Sequence, residues 1–377
     1  MNEPDPEPEL GEALGPMRSG LRRTTLSRVP GTIREMLEEL EEKVLHPRAA
    51  RSAATRGRAR PEEPDVERPS FQRDRDRIVH CKAFRRLAGK TQVFLAPRGD
   101  HYRTRLTHTL EVAQVGRSIA RALRLNEMLV EAMIMGHDLG HTPFGHAGER
   151  LLAAVVPGGF HHVIQSLRVV EVLEKDGRGL NLTAEVRDGI LRHTKGKGNV
   201  LLQGSGQKAL TLEAEIVRIA DIVAYVNHDL DDALRAGLFL EADLPADVRR
   251  VLGASRSERF ATLVHDVIRH TDLDGGGHVQ MSPDVHGALL ALRDFLYARV
   301  YENPVVHDEF KKAQRILRDL HDWCVEDPAR LAQRFGVTAR EGETLDRAVT
   351  DWLSGMTDRF AIATWEELFV PRPWNQV

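Results

Sequence analysis

The sequence predicts an all-α fold, and three observations carry the prediction. Apolar residues recur at three- and four-residue spacing over most of the chain. The strict alternation that marks half-buried strands is almost absent, and no internal repeat is present. Gly, Pro and candidate caps fall between the periodic runs.

Residues 1–30 are rich in Pro, Gly and acidic residues with little to bury, which predicts a disordered tail. Thr32 to Val44 reads as a charged helix with Ile33, Met36, Leu37, Leu40 and Val44 as its apolar stripe. A basic stretch follows, carrying Arg48, Arg51, Arg56, Arg58 and Arg60. It reads either as a solvated linker or as arginines reaching over a site to hold phosphates. Phe71 to Leu87 reads as one helix, with Arg73, Asp74, Arg75 and Asp76 in structural ion pairs. LAGKTQVFLAPRGDHYRT breaks the pattern, with a short strand or turn around Gln92 to Leu95. Arg105 to Leu125 is an amphipathic helix with His108 one turn into it, and Asn126 is placed to cap the next.

That next helix delivers Glu131 to Arg150, EAMIMGHDLGHTPFGHAGER, which concentrates His137, Asp138, His141, His146 and Glu149 among glycines. Helices are then predicted from about His162 and over LTAEVRDGILRHT, followed by the Gly-rich KGKGNVLLQGSGQK. This last is no phosphate loop, because it lacks the Gly-Lys-Ser/Thr ending that opens a helix. From Leu212 a long helix places Asp221, Tyr225 and Asp229 at i, i+4 and i+8, on one face. Further helices are predicted at 251–271, 283–302, 304–325, 328–335, 343–354 and 357–368, before an irregular PRPWNQV end. The expected organisation is a tail over 1–30, a catalytic core over 31–250 and a helical region over 251–377 packed on it.

Composition limits the function classes. At 41% hydrophobic and 29% charged residues the 377-residue chain is typical of soluble globular proteins. A formal net charge of −3 gives no overall basic signature for nucleic acid. Two cysteines, Cys81 and Cys324, leave no disulfide framework or Cys-rich zinc site. The N-terminus shows no secretory apolar segment and no run is long enough to span a membrane, so a cytoplasmic location is expected.

The chemistry gathers on His108, the adjacent pair His137 and Asp138, and Asp221. Neighbouring helical side chains diverge by about 100°, so His137 and Asp138 converge only on something lying in a groove between helices. Bundles build metal sites from facing helices in this way. Two imidazoles and two carboxylates suit a divalent ion, Mn, Mg, Co, Ni, Fe or Zn, with Mn or Mg favoured. His146 and Glu149, at i, i+3, form a candidate acid/base pair. His141 offers a competing i, i+4 ligand pairing with His137, opposed by Gly140 and Pro143, which are placed to end the helix.

These residues lie in segments that match a known family. RDRDRIVHCKAFRRLAGKTQVF, GDHYRTRLTHTLEVAQVGRSIA, GHDLGHTPFGHAGE, HHVIQSLRVVE, RIADIVAYVNHDLDDAL and MTDRFAIATWEELFVPRPW occur in family order from about residue 31 to the end. The chain resembles the HD-domain deoxynucleoside triphosphate triphosphohydrolases, in their bacterial dGTPase-like branch. The resemblance implies an all-helical HD-domain core with extra C-terminal helices. It also implies metal-dependent cleavage of a dNTP into deoxynucleoside and tripolyphosphate, with a role in controlling dNTP pools. Carried over, the metal ligands are His108, His137, Asp138 and Asp221. His146 is the catalytic histidine with Glu149 its partner, and His141 contacts phosphate. Gln92, Arg105 and His162 fall at nucleotide contacts, Tyr225 packs on the deoxyribose and Asp229 binds its 3′-hydroxyl. The implied partners are a dNTP substrate, a regulatory nucleotide or single-stranded nucleic acid, and further copies of the chain. Two departures stand out. Ile222 replaces a second acid or a basic residue after the metal-binding Asp, and His161-His162-Val163 replaces a His-Glu pair. The alternatives are an HD phosphohydrolase acting on monophosphates, cyclic nucleotides or an alarmone, and a nucleic-acid-binding or nucleotide-sensing protein.

Overall fold

The computed structural model describes residues 31–92, 103–193 and 209–371. The tail over 1–30, the stretch just past Gln92, the Gly-rich loop and residues 372–377 lie outside the described residues. Within them the fold is all-α, with β-bridges confined to the isolated pairs Arg58–Thr183 and Thr91–Thr104.

The helices are α1 (Ile33–Val44), α2 (Ser70–Val79), α3 (Lys82–Arg86), α4 (Arg105–Ala122), α5 (Glu127–His137), α6 (Gly145–Val155), α7 (His162–Arg168) and α8 (Glu174–Gly177). They continue with α9 (Ala184–Arg192), α10 (Leu212–Arg235), α11 (Ala246–Leu252), α12 (Arg256–His270), α13 (Pro283–Leu296), α14 (Pro304–Glu326), α15 (Pro328–Phe335), α16 (Leu345–Ser354) and α17 (Asp358–Phe369).

α5 is the central rod of the core. It is apolar nearly all round, with Leu129, Val130, Met133 and Ile134 wholly buried, each contributing ~1.5–3 kcal/mol of hydrophobic stabilisation. α2, α4, α9 and α10 pack around it. Two glycines permit that closeness. A Cβ on Gly116 of α4 would lie 2.6 Å from Ile134 Cδ1, and one on Gly189 of α9 would lie 2.3 Å from Met133 Sδ. Asn126 caps α5 as expected, accepting from Leu129 N–H. A second apolar cluster joins Phe144, Leu151 and Leu152 of the α6 region to Phe310, Leu317, Leu320, Val349 and Leu353 of α14 and α16. α6 therefore couples the loop that leads into it to the C-terminal helices.

Three predicted helices differ in detail. The helix over 71–87 breaks at Cys81, because Glu174 offers its carboxylate to Lys82 N–H at 3.1 Å and Ala83 N–H at 2.7 Å, capping a new helix. The helix over 251–271 breaks at Gly253, whose φ of +109° excludes helical continuation, and Ser255 and Glu258 form a capping box for α12. The helix over 283–302 widens after Leu296 into a π turn, Tyr297–Tyr301.

In the arginine-rich stretch Arg48, Arg51, Arg58 and Arg60 fit neither reading offered for it, while Arg56 is exposed. Arg58 pairs with the wholly buried Asp74 and donates to Asn181 O at 2.7 Å. Arg48 donates to Leu273 O and Gly277 O, and Arg60 to Arg178 O. The guanidinium groups staple the chain to distant backbone carbonyls. In α1 no residue is buried, so Ile33, Met36, Leu40 and Val44 form an outward apolar stripe. Among the described residues no helix is long and apolar enough to cross a membrane.

Candidate active site

The last turn of α5 sets the geometry. α5 stops at His137 and Asp138 takes the C-cap position at φ −101°, ψ 7°. The helical face that would pair His137 with His141 therefore does not exist. His137 donates its Nδ1–H to Ile134 O at 2.6 Å, which leaves Nε2 as a lone pair, buried and without a partner. Such a group costs about 1–3 kcal/mol if nothing fills it.

What faces that lone pair is a ring of donors from three helices. His137 Nε2 lies 3.4 Å from Asp138 Oδ1 and 3.8 Å from Asp221 Oδ1. His108, one turn into α4, brings Nε2 to 3.1 Å from Asp221 Oδ1. Burial would raise both carboxylates, but their neighbours outweigh it. His137, His141 and Arg105 hold Asp138 well below the carboxylate range, and His108 and His137 hold Asp221 below it. Two nitrogens and two carboxylates around a buried lone pair fit a divalent cation. The structure brings together the four residues that the sequence reading named as candidate ligands.

The loop from Asp138 to Gly145 carries the second set of groups. It is held at several points. Gly140 N–H donates to Ser166 Oγ at 2.9 Å, and that hydroxyl donates to His137 O at 2.7 Å. Phe144 adopts the left-handed region at φ +62°, a conformation unfavourable for a bulky residue. Its N–H donates to Asp358 Oδ1 at 2.9 Å. The other oxygen of Asp358 accepts from Thr91 N–H at 3.0 Å. Lys90, buried, donates from Nζ to His141 O and to Ser354 O. Helix α17 directly, and α16 through Lys90, thus hold the loop from His141 to Phe144.

On this loop His141 brings Nε2 to 3.2 Å from Asp138 Oδ1 and stacks on His162 with ring centroids 3.9 Å apart. Its Nδ1 is buried without a partner. Glu149 does not form a tight pair with His146: Oε2 lies 4.0 Å from His146 Nδ1. Its Oε1 instead accepts from His162 N–H at 2.9 Å and His162 Nδ1–H at 2.8 Å. The reason is positional, since His162 opens α7 directly opposite the carboxylate. Desolvation is outweighed by these bonds, and Glu149 is held far below its usual range. The His146 side chain is 52% exposed at the mouth of a cavity, not in a packed core. Desolvation by the cavity walls, with Arg105 second, pushes it down to about 4.

The cavity encloses about 300 Å³ and is walled by these histidines and acids together with Gln92, Arg105, Tyr225, Asp229, Tyr297 and Tyr301. Arg105 donates to Asp138 Oδ2 at 2.8 Å. Gln92 Oε1 and Asp229 Oδ1 are buried and unpartnered. Asp221, Tyr225 and Asp229 share one wall, as their spacing on α10 predicts.

Several groups here were missed by sequence reasoning. Tyr301 hydrogen-bonds Asp229 Oδ2; an i, i+4 tyrosine pair, Tyr297 and Tyr301, was the available signal. His193 faces His162, with Nε2 atoms 3.3 Å apart. Nothing local marked it, nor Lys90 or Asp358.

Asp229 gives a stability prediction. Burial pushes its carboxyl up to about 7 from 3.8. A folded value above the unfolded one means that stability falls as pH rises from the unfolded value, and the loss is complete above the folded one. Asp229→Asn is expected to raise Tm at pH 8, by a free energy of at most about 4 kcal/mol, and to leave it unchanged near pH 4. Thermal melts at the two pH values check this.

Comparison with known proteins places these observations. Residues 105–226 match the HD domain, and residues 279–367 match a phosphohydrolase-associated domain. A deoxyguanosinetriphosphate triphosphohydrolase-like protein of Caldanaerobacter subterraneus subsp. tengcongensis is 50% identical over 342 residues, covering 91% of this chain and 97% of that protein. One of the same name from Desulfatibacillum aliphaticivorans is 49% identical over 348 residues, covering 91% and 99%. A solved structure of a hypothetical protein from Aquifex aeolicus overlaps 79% of this chain and 68% of its own at 22% identity. Its TM-score of 0.42 is too low to carry an argument. Near-complete coverage at half identity, over a helical fold that converges two histidines and two aspartates, settles the family. The chain belongs to the deoxyguanosinetriphosphate triphosphohydrolase-like proteins, hydrolases built on an HD domain.

Proposed function

We propose that the protein hydrolyses deoxynucleoside triphosphates to deoxynucleoside and tripolyphosphate, and so acts on dNTP pools. The observation that carries this is the convergence of unpartnered buried polar atoms on one cavity: His141 Nδ1, Gln92 Oε1 and Asp229 Oδ1 line it, and His137 Nε2 lies just behind its Asp138 and Asp221 wall. As acceptors they suit a cation at one end and a sugar hydroxyl at the other, and Arg105 beside them supplies the positive charge that phosphates need.

His108, His137, Asp138 and Asp221 would hold the divalent cation. When bound, that ion supplies Lewis-acid polarisation of a phosphoryl oxygen. Arg105 and His141 bind and orient the phosphates beside it, a guanidinium fork suiting phosphate oxygens. Asp229 Oδ1 accepts from the sugar 3′-hydroxyl while Tyr301 holds the other carboxylate oxygen. Tyr225 closes against the ring where a 2′-hydroxyl would stand. Water adds to the α-phosphorus and releases a proton to solvent, the bond to the 5′-oxygen breaks, and that oxygen takes up a proton. His146 delivers it. Its low basicity comes from desolvation and Arg105, and a bound polyanion opposes the second of these and raises it. Glu149 and His162 orient this side of the pocket through their mutual bond.

The test is a panel of dATP, dCTP, dGTP and dTTP with Mn, Mg, Co and Ni, scored for tripolyphosphate. Tripolyphosphate release in at least one pairing is expected, with GTP turned over far more slowly than dGTP. Orthophosphate from monophosphates, without tripolyphosphate, overturns the proposal. Equal turnover of GTP and dGTP removes the role of Tyr225.

A further inference from the structure

We infer that Glu111 and His228, which lie outside the cavity, are positioning residues for His108 and decide which of its nitrogens is free to bind the ion. The inference rests on the metal reading above.

His108 and Glu111 stand at i, i+3 on α4 and bracket the ring of His228, which is wholly buried on α10. His228 Nε2 lies 3.0 Å from Glu111 Oε2, in a close but off-axis approach. His228 Nδ1 lies 3.4 Å from His108 Nδ1. Glu111 is itself fixed from the other side, by Arg103 Nε at 3.1 Å and Arg256 at 3.3 Å.

Proton accounting then runs one way along the chain. A carboxylate flanked by two guanidinium groups only accepts. That charge favours the ring proton of His228 on Nε2, and its Nδ1 then presents a lone pair. That lone pair faces His108 Nδ1, which must be the donor. Nε2 of His108 is left as a lone pair 3.1 Å from Asp221 Oδ1. Two acceptors at that distance repel unless a cation lies between them. Outer partners of metal-binding histidines act in this manner, fixing tautomer and ring orientation. Without the carboxylate, His228 is free to donate from Nδ1. The proton of His108 then sits on Nε2, bonds Asp221 and blocks ligation.

A purely structural role for Glu111, as one more acid tying α4 to α10 and α12, makes a different prediction. Mn²⁺ is titrated calorimetrically into metal-free full-length protein, for the native chain, Glu111→Gln, His228→Gln and His137→Ala, and the metal-free forms are melted in parallel. A Gln amide can donate to His228 and reverse the relay. Glu111→Gln and His228→Gln are expected to weaken Mn²⁺ binding by roughly 10–100-fold, with metal-free melting close to native. Loss of binding in His137→Ala together with native affinity in Glu111→Gln overturns the inference and leaves the metal reading standing. This holds whether or not Glu111→Gln melts earlier. Native affinity in His137→Ala overturns both. If His228→Gln does not fold, Glu111→Gln decides alone, its side chain being 34% exposed and tolerant of the change.

Discussion

Asp138→Ala is expected to remove Mn²⁺ binding and hydrolytic activity together. Asp138 is where the two halves of the site meet. One oxygen faces His137 Nε2 at 3.4 Å and His141 Nε2 at 3.2 Å, and the other takes Arg105 at 2.8 Å. Truncation deletes a proposed ligand and also breaks the buried ion pair that holds Arg105. Loss of a direct ligand should exceed the ~10–100-fold that loss of an outer partner costs in metal affinity. Metal analysis of the purified variant and tripolyphosphate release measure the two effects independently. Retained turnover would defeat the mechanism. Asp138→Asn, which keeps the shape, separates loss of charge from loss of packing.

His146→Ala is expected to behave in the opposite way, sparing Mn²⁺ affinity while lowering kcat by ~10²–10⁴, the usual range for a general acid or base. The ring is half exposed at the cavity mouth and bonds none of the proposed ligands, so little besides proton transfer should change. Its removal leaves Glu149 in place, because that carboxylate is anchored by His162 N–H and Nδ1–H. Single-turnover rates beside calorimetric Mn²⁺ titration distinguish the outcomes. A fall in metal affinity would return His146 to the ligand set.

The all-α class and the four residues of the proposed metal site were legible because their signals are local. Helical periodicity marks a face, and i, i+4, i+8 spacing puts Asp221, Tyr225 and Asp229 on one wall whatever the helix packs against. Ligand chemistry then singled out His108, His137 and Asp138. What stayed illegible depends on where distant segments land. The break at Cys81 needs Glu174, 91 residues from Ala83. Glu149 chose His162 over His146 because α7 begins opposite it, which spacing along α6 cannot say. Arg58 read as a solvated or phosphate-seeking residue by its company, yet its partner Asp74 is wholly buried. His193, Tyr301 and Asp358 reach the site from elements with no ligand-like pattern of their own. Family resemblance supplied roles for Gln92 and Arg105 that residue spacing alone did not.

The carboxylate of Asp358 sits 214 residues downstream of the Phe144 amide it holds. The left-handed turn at Phe144, and with it the approach of His141 and His146 to the cavity, is thus in the keeping of the last two helices. Fraying of α16 and α17 would free this loop before the core around α5 opens. Heat inactivation is therefore expected to run ahead of the loss of helical signal, which activity and circular dichroism followed through one temperature ramp measure.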